Sequence, residues 1–508
     1  MEARTLNADI SLRRWLWAVA LAALGLRLWI GATFPITGDE AYFYGWGRRP
    51  EWGYYDHPPM VGWWIAVMLQ WFGDSTLSMR VPAIVLPLAL GGLLGWGVAA
   101  IDRTRAAWVV LLFWLAPIHW LNALITTDTP LIFWSLASAA ALMHADACSD
   151  KHKAAWLHAL SGVCLGLAFL SKYFAVVLGL AYAVYFAIWR RERWAYLALL
   201  VLAALPGPLI NLWWNMGHGW ANIMFNVFNR NAGEAFSWDK PALYVLMWVY
   251  LLTPGLAWLM WQQRGSWWPA VRRQPLLMCM AGVPLVFFAL LSFKKVVGLH
   301  WVLNFYSFLF AAFALFVSDD ALHRARKWLL GFTLLHVVAV AGLYTTQLSD
   351  WRDSGLYTQI VRSYRTQALL DQVRTDDSVL MATAYTPASI YAQTLKTDVP
   401  VFGVGSFHAR QDDLWVDFRD YDGRTLRILD SHDMVLSDYA PYFESVHAFD
   451  VTQDGAVFHV VEGRHFKWSV YRDRVLAQIY AERHQIPAWL PMTGCPFCER
   501  YCGAIRCD

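Results

Sequence analysis

Long apolar stretches broken by short polar segments dominate the first two thirds of the chain. Runs long enough to cross a hydrocarbon core, about 17 to 21 residues, fall near 15–34, 81–101, 106–125, 128–145, 154–170, 173–189, 194–214, 241–261, 275–293, 299–317 and 328–346. The pattern predicts eleven transmembrane helices. Only Ser171-Lys172-Tyr173 separates two of them, and Pro206-Gly207-Pro208 interrupts a third, where a kink accommodated by neighbouring helices is the simplest reading. The run 61–72 is too short to span and reads as an interfacial helix, with Trp63 and Trp64 at home there. After residue 346 the pattern changes. Apolar runs at Ser378–Ala382, Val399–Phe402 and Ala456–Val461 read as strands and Tyr471–His484 as a helix. The expected architecture is an α-helical polytopic membrane domain, residues 1–346, followed by a soluble mixed α/β domain, residues 347–508.

Composition agrees. Hydrophobic residues make up 58% and charged residues 16%, with 31 tryptophans, well outside the soluble norm. A formal net charge of +3 from near-equal acids and bases gives no reason to expect nucleic acid as a partner. The first apolar segment lacks a small-residue cleavage site and is long enough to span, so it reads as a retained helix.

Basic residues set the orientation. Arg4, Arg13 and Arg14 precede the first span, and alternate loops carry Arg103 and Arg105, Lys151 and Lys153, Arg190, Arg191 and Arg193, Arg264, Arg272 and Arg273, then Arg324, Arg326 and Lys327. Under the positive-inside rule these loops are cytoplasmic. The loop holding Gly38-Asp39-Glu40-Ala41-Tyr42 and Tyr54-Tyr55-Asp56-His57-Pro58-Pro59 then faces the periplasm, and an odd number of crossings puts residues 347–508 on the same side. Cys148, Cys164 and Cys279 lie in or beside spans, whereas Cys495, Cys498, Cys502 and Cys507 crowd the last fourteen residues. In an oxidising compartment those four favour disulfides over a zinc site, with the pairing undetermined.

Polar residues recur in the outward-facing loops: Asp39, Glu40, Asp56 and His57; His119, Asn122 and Asp128; Lys172 and Tyr173; Asn226, Asn229 and Arg230; Lys294, Lys295 and His300. Carboxylates that remove a proton from an acceptor, and cations that hold an anionic leaving group, are what a reaction between two membrane-held substrates needs. A transporter would instead gather its polar groups near the bilayer midplane.

Four elements, Gly38-Asp39-Glu40-Ala41-Tyr42, Tyr55-Asp56-His57-Pro58-Pro59, Thr126-Thr127-Asp128-Thr129-Pro130 and Leu170-Ser171-Lys172-Tyr173, occur in order between residues 38 and 173, within a similarity that covers roughly residues 10–310. Together they resemble the GT-C fold glycosyltransferases that use polyprenyl-phosphate sugars. That group includes lipid A aminoarabinose transferases, lipopolysaccharide galacturonosyltransferases and protein O-mannosyltransferases. The resemblance implies a bacterial inner-membrane enzyme that moves a sugar from an undecaprenyl-type phosphate carrier to lipid A or lipopolysaccharide core, inverting the anomeric carbon. A protein acceptor and a non-enzymatic transporter of lipid-linked sugar are the alternatives.

The resemblance also implies roles. Asp39 takes the place of the general base, with Glu40 and Asp128 as further catalytic carboxylates. Asp56 stands where the aminoarabinose transferases carry a metal-binding acid, which makes a divalent metal a candidate cofactor; His57 replaces a lysine that touches the lipid phosphate. Lys172, Tyr173, Arg230, Lys294, Lys295 and His300 are the remaining phosphate-binding candidates. Structural readings compete with these: Asp39 and Asp128 as helix N-caps, Asp56 as the start of a turn, Lys294 and Lys295 as snorkelling residues. Arg27, inside the first span, calls for a partner such as a nearby carboxylate, and Arg80 reads as a helix anchor.

Overall fold

The computed structural model describes residues 2–231, 235–406 and 410–503, with side chains from residue 10 onward and excepting 231. Two compact units divide the chain: Met1–Thr33, Gln70–Leu209 and Gly233–Tyr344 form the first, and Phe34–Leu69, Ile210–Ala232 and Thr345–Asp508 the second. The C-terminal third thus packs with two earlier segments, 34–69 and 210–232, that the hydropathy pattern does not group with it.

The first unit is helical. Among the described residues six helices are long and apolar enough to span a bilayer: Ile10–Thr33, Thr76–Ala99, Arg191–Gly217, Pro275–Ser292, Leu299–Phe316 and Asp319–Tyr344. A seventh span is obtained if Asp239–Leu251 and Pro254–Gln262, bent by 98°, count as one. The bend has a local cause. Thr253 sits at φ 66°, its hydroxyl accepts from the Leu256 N–H, and Pro254 opens the second helix where no N–H is needed. Of the four other expected runs, 128–145 and 154–170 are the unbroken helices Asp128–Ala147 and Lys151–Phe169, of 20 and 19 residues, and the remaining two are broken or short. The run 106–125 is helix Arg103–Trp114, then Ile118–Leu121 beyond Pro117. Ala175–Trp189 is only 15 residues long, and Met60–Phe72 has 13. Gly162 and Gly166 on helix Lys151–Phe169 meet the carbonyls of Leu200 and Ala204, so that Cβ atoms there would collide with backbone. Small residues allow this helix pair its close approach.

Arg27 is 2% exposed, and its partners correct the expected carboxylate. The guanidinium donates to the carbonyls of Ala83, Ile84 (3.1 Å), Ile118 (3.4 Å) and His119 (3.2 Å). Pro87, inside helix Thr76–Ala99, has no N–H for the Ala83 carbonyl four residues earlier, and Arg27 supplies the missing donor. Arg80, fully buried, donates to the Gly31 carbonyl at 3.0 Å, the anchoring contact expected of it.

The second unit carries a four-stranded sheet of order β1-β2-β4-β3, with β1 Ser378–Ala382, β2 Thr425–Asp430, β3 Ser445–Gln453 and β4 Ala456–Arg464. β1 pairs with β2 in parallel, and β4 runs antiparallel to both neighbours. Asp454 (φ 49°) and Gly455 (φ 84°) turn the β3–β4 hairpin, the Asp-Gly sequence that two left-handed residues favour. Residues 399–402, expected as a strand, contribute only the isolated bridge of Val401 to Ala382, since Pro400 cannot donate to a ladder. The helix expected at 471–484 is three consecutive pieces, Trp468–Tyr471, a π-turn over Arg472–Leu476 and Ala477–Arg483. Met381, Leu426, Ile428, Val461, Phe466 and Tyr471 form the core of this unit. Cys495 and Cys498 are joined by a disulfide, while Cys507 lies outside the described residues.

Candidate functional site

Helix Gly38–Arg48 starts with a reciprocal capping box. Thr37 is the N-cap, its hydroxyl accepts from the Glu40 N–H, and the Glu40 carboxylate accepts from the Thr37 N–H at 3.2 Å. The sequence therefore assigns its two adjacent acids different work. Glu40 is 0% exposed and its carboxylate holds the helix start, whereas Asp39 is exposed and is not the cap. Asp39 sits in the first turn, where the helix dipole favours an anion. The Tyr385 hydroxyl donates to Asp39 Oδ1 at 3.0 Å. Burial first, and then the Asp39 charge, push the Tyr385 phenol up to about 12, so it stays protonated as a donor. Gly38 is needed for this approach: a Cβ there would collide with Thr386, the residue after Tyr385 on helix Tyr385–Leu395.

The loop that follows is tied from several sides. Tyr54 stacks on Trp46 (4.3 Å, 3°), and its hydroxyl donates to the Trp46 carbonyl at 3.0 Å. The Tyr54 N–H donates to the His57 carbonyl at 3.0 Å, closing a turn around Asp56. Asn222 donates to the Tyr54 carbonyl and Asn226 to the Asp56 carbonyl, both at 2.9 Å. Gln411 accepts the Tyr55 N–H at 2.9 Å. These backbone contacts leave the Asp56 carboxylate to face the Tyr42 hydroxyl (3.4 Å) and His57 Nδ1 (3.2 Å). Burial and the Asp56 charge push the Tyr42 phenol well up, keeping it a donor. For a divalent metal, Asp56 and His57 offer one carboxylate and one imidazole, and among the described residues no three His, Cys, Asp or Glu side chains cluster as a metal site. That donor set falls short of the usual three protein ligands. Arg230 lies in the short turn Asn229–Asn231, half-buried.

A buried ion cluster supports the same unit. Arg410 Nη2 meets Asp413 Oδ1 at 2.6 Å, and His484 Nε2 meets Asp413 Oδ2 at 3.1 Å, with Arg410 and Asp413 side chains 3% and 1% exposed. Burial opposes the Asp413 charge, but Arg410 and His484 outweigh it and hold the carboxyl well below its usual range. Next to it, burial pushes Asp412 up to about 6. Tyr385, Gln411 and this cluster escape sequence reasoning, since Arg410-Gln411-Asp412-Asp413 reads as a solvated polar loop.

The other expected residues fall in the first unit. Asp128 opens helix Asp128–Ala147, but Thr127 is the N-cap position and makes no side-chain cap bond. Both Asp128 oxygens instead accept from Lys172 Nζ at 2.9 Å, in a pair whose side chains are 7% and 12% exposed. Lys172 also lies 5.6 Å over the Phe174 ring, and Tyr173 packs on Phe169 at 5.2 Å. Lys294 and His300 are exposed and Lys295 half-buried; Lys240 Nζ donates to the Lys294 carbonyl at 2.5 Å.

The second unit thus carries an exposed carboxylate that accepts from a protonated phenol, and a second carboxylate held by a constrained loop. Residues 56–214 match the family model described as dolichyl-phosphate-mannose-protein mannosyltransferase. ArnT from Cupriavidus metallidurans shares the fold: TM-score 0.60 at 15% identity in the apo state, over 89% of this chain and 98% of that one. Bound to undecaprenyl phosphate it gives TM-score 0.63 at 12% identity, over 90% and 98%. The chain thus has the fold of that protein. In sequence it is 28% identical over 209 residues to the lipid A galacturonosyltransferase RgtD of Rhizobium johnstonii, covering 39% of this chain and 43% of that protein. It is 29% identical over 261 residues to the undecaprenyl phosphate-alpha-4-amino-4-deoxy-L-arabinose arabinosyl transferase of Pseudomonas aeruginosa, covering 46% of each. The matched region spans less than half the length of either relative.

Proposed function

We propose that the protein is a membrane glycosyltransferase that moves a sugar from an undecaprenyl-type phosphate carrier to lipid A or lipopolysaccharide core on the periplasmic face. The observation that carries the reading is Asp39, an exposed carboxylate at a helix start, fixed by its own helix cap and by the Tyr385 hydroxyl. Asp39 takes the proton of the acceptor hydroxyl as that oxygen bonds to the anomeric carbon. The bond from that carbon to the carrier phosphate breaks on the opposite face, and the polyprenyl phosphate departs with the electron pair. One displacement inverts the centre, unlike the two-step route of retaining glycosidases. A phosphate leaves readily once its charge is compensated. Within this proposal His57, Lys172, Tyr173, Arg230, Lys294, Lys295 and His300 bind the carrier phosphate, with Asp128 orienting Lys172 and Glu40 holding the helix that presents Asp39. Residues 347–508 are the periplasmic part, and the disulfide Cys495–Cys498 suits an oxidising compartment. The names of the sequence relatives support a lipid A acceptor, and the name of the family model favours a protein acceptor as the second reading.

Mass spectrometry of envelope glycolipids from cells with and without the gene tests the acceptor. A glycolipid lacking one sugar in the deleted strain is the expected result. A change confined to glycoproteins would move the assignment to the second reading, and no change in either would remove both.

A further inference from the structure

Asparagines recur along the 210–232 segment of the second unit, at 211, 215, 222, 226 and 229 among others. Asparagine is a poor helix former because its amide competes for backbone groups, and here that competition builds a framework. Asn215, fully buried, donates to the Asn211 carbonyl at 2.9 Å and accepts the Ile223 N–H through Oδ1 at 3.2 Å. Asn222, also fully buried, and Asn226, half-buried, reach out of the segment to the carbonyls of Tyr54 and Asp56. The two amides thus take the carbonyls on either side of Tyr55, whose own N–H goes to Gln411. Asn226 Nδ2 also donates to the Asn222 carbonyl at 3.0 Å, which ties the two together.

The backbone that aims these amides is strained. Gly219 (φ 60°) and Trp220 (φ 55°) are two successive left-handed residues, an arrangement costly for a bulky side chain such as tryptophan. A π-turn over Met224–Phe228 follows and contains Asn226; such turns concentrate at functional sites. The strain persists because the chain near its C-terminus holds the corner. The Trp220 indole N–H donates to the Pro491 carbonyl at 2.9 Å, the Gly219 N–H to the Gly494 carbonyl at 2.9 Å, and the Thr493 N–H to the Met216 carbonyl at 2.8 Å. The Cys495–Cys498 disulfide lies against the same corner, since a Cβ on Gly219 would stand 2.9 Å from Cys495 Sγ. A conformation fixed from so many sides, and costly in itself, is retained where it serves the site.

We propose that Asn222 and Asn226 are positioning residues that act through the Tyr54–His57 turn, setting His57 where it meets the carrier phosphate. Asn226 grips the backbone at Asp56, one residue before His57, while the Asp56 carboxylate lies 3.2 Å from His57 Nδ1. A turn released at the Asp56 carbonyl takes the imidazole with it. The left-handed corner and the segment 491–495 that clasps it give the amides their direction. The inference rests on the proposed glycosyl transfer and deepens it by assigning residues that support the carrier-phosphate contact.

The test compares two asparagines of the same segment, each bonded to a backbone carbonyl. Asn226 holds the turn, whereas Asn229 Nδ2 donates to the Arg483 carbonyl at 3.3 Å and leaves the turn alone. Asn226→Leu and Asn229→Leu fill similar space without a donor, and Asn226→Ser, too short to reach the Asp56 carbonyl, serves where leucine prevents folding. Full-length protein in nanodiscs is followed by amide hydrogen exchange, by calorimetry with farnesyl phosphate as a carrier mimic, and by thermal melting. Either Asn226 variant should speed exchange of the Tyr54 and Tyr55 N–H groups at least about tenfold, with β2 and β4 as protected as in wild type. It should also bind farnesyl phosphate about tenfold more weakly, the size expected for one buried acceptor left unpaired. Asn229→Leu should match the Asn226 variants in melting temperature and wild type in exchange and affinity. Unchanged exchange at Tyr54 and Tyr55, unchanged affinity, or an equal loss in Asn229→Leu would each overturn the proposal. Sugar transfer is assayed separately: a wild type that binds farnesyl phosphate and transfers nothing would refute the glycosyl transfer and leave the positioning of the turn standing.

Discussion

Gly38→Ala should silence the protein while barely destabilising it. A Cβ at this position lies 2.9 Å from both Thr386 Cβ and Thr386 Oγ1, and closer still to Cγ2. Carbon atoms prefer about 3.5–4.0 Å, so one of the two helices has to move by roughly an ångström. Overpacking of this size costs about 1–3 kcal/mol. Alanine returns up to about 1 kcal/mol over glycine in a helix, and a net loss of about 0–2 kcal/mol follows. Turnover is more sensitive, because Tyr385, next to Thr386, carries the hydrogen bond to Asp39. A misplacement of about 1 Å costs about a hundredfold in rate. The assay is sugar transfer by purified protein in proteoliposomes, alongside a thermal melt of the same preparation. Thr386→Ala in the same chain removes Cγ2 and Oγ1 but leaves Cβ, so the double variant should regain at least about tenfold of the lost rate. Wild-type turnover in Gly38→Ala, or a double variant no faster than the single one, would refute the reasoning.

Other consequences follow from the buried charges. Arg410→Met strands Asp413 and should cost about 3–5 kcal/mol, whereas Arg410→Met with Asp413→Leu should cost far less; equal melting temperatures for the two variants would contradict this. Asp412, pushed up to about 6 by burial, binds its proton more tightly folded than unfolded. Its contribution is therefore complete below the ordinary carboxylate range and is lost as pH rises through about 6, so Asp412→Asn should stabilise by about 2 kcal/mol or less at pH 7.5 and not at pH 4, read as a higher melting temperature. Asp128→Ala leaves the Lys172 ammonium without the carboxylate that chelates it and should destabilise by about 3 kcal/mol, read as a lower melting temperature; Asp128→Glu should recover part of it.

The sequence was most legible where its signal is local. Apolar runs of spanning length announce the membrane helices, whereas the cap offered at Asp39 falls two residues earlier, at Thr37, whose capping box with Glu40 went unread. β1 and β4 coincide with apolar runs, whereas β3 escaped because most of its residues are exposed and no apolar run marks it. Hydropathy is blind to the break after Trp114 and to the Thr253 bend, which lie inside apolar runs. The carbonyl partners of Arg27 could not be foreseen, since Pro87 is 60 residues away and only packing brings its vacated carbonyl to the guanidinium. Tyr385 and Gln411 were unreadable for a similar reason: they are more than 340 residues from Asp39 and Tyr55, with a hydroxyl and an amide whose roles depend on what they meet.

The most direct test of the account is sugar transfer by Asp39→Asn, measured as undecaprenyl phosphate released per acceptor glycosylated, in proteoliposomes supplied with envelope lipids of the source cells. Losing a general base costs about a hundredfold or more. The account predicts at least that loss, with carrier-lipid binding unchanged. Release at the wild-type rate would contradict it.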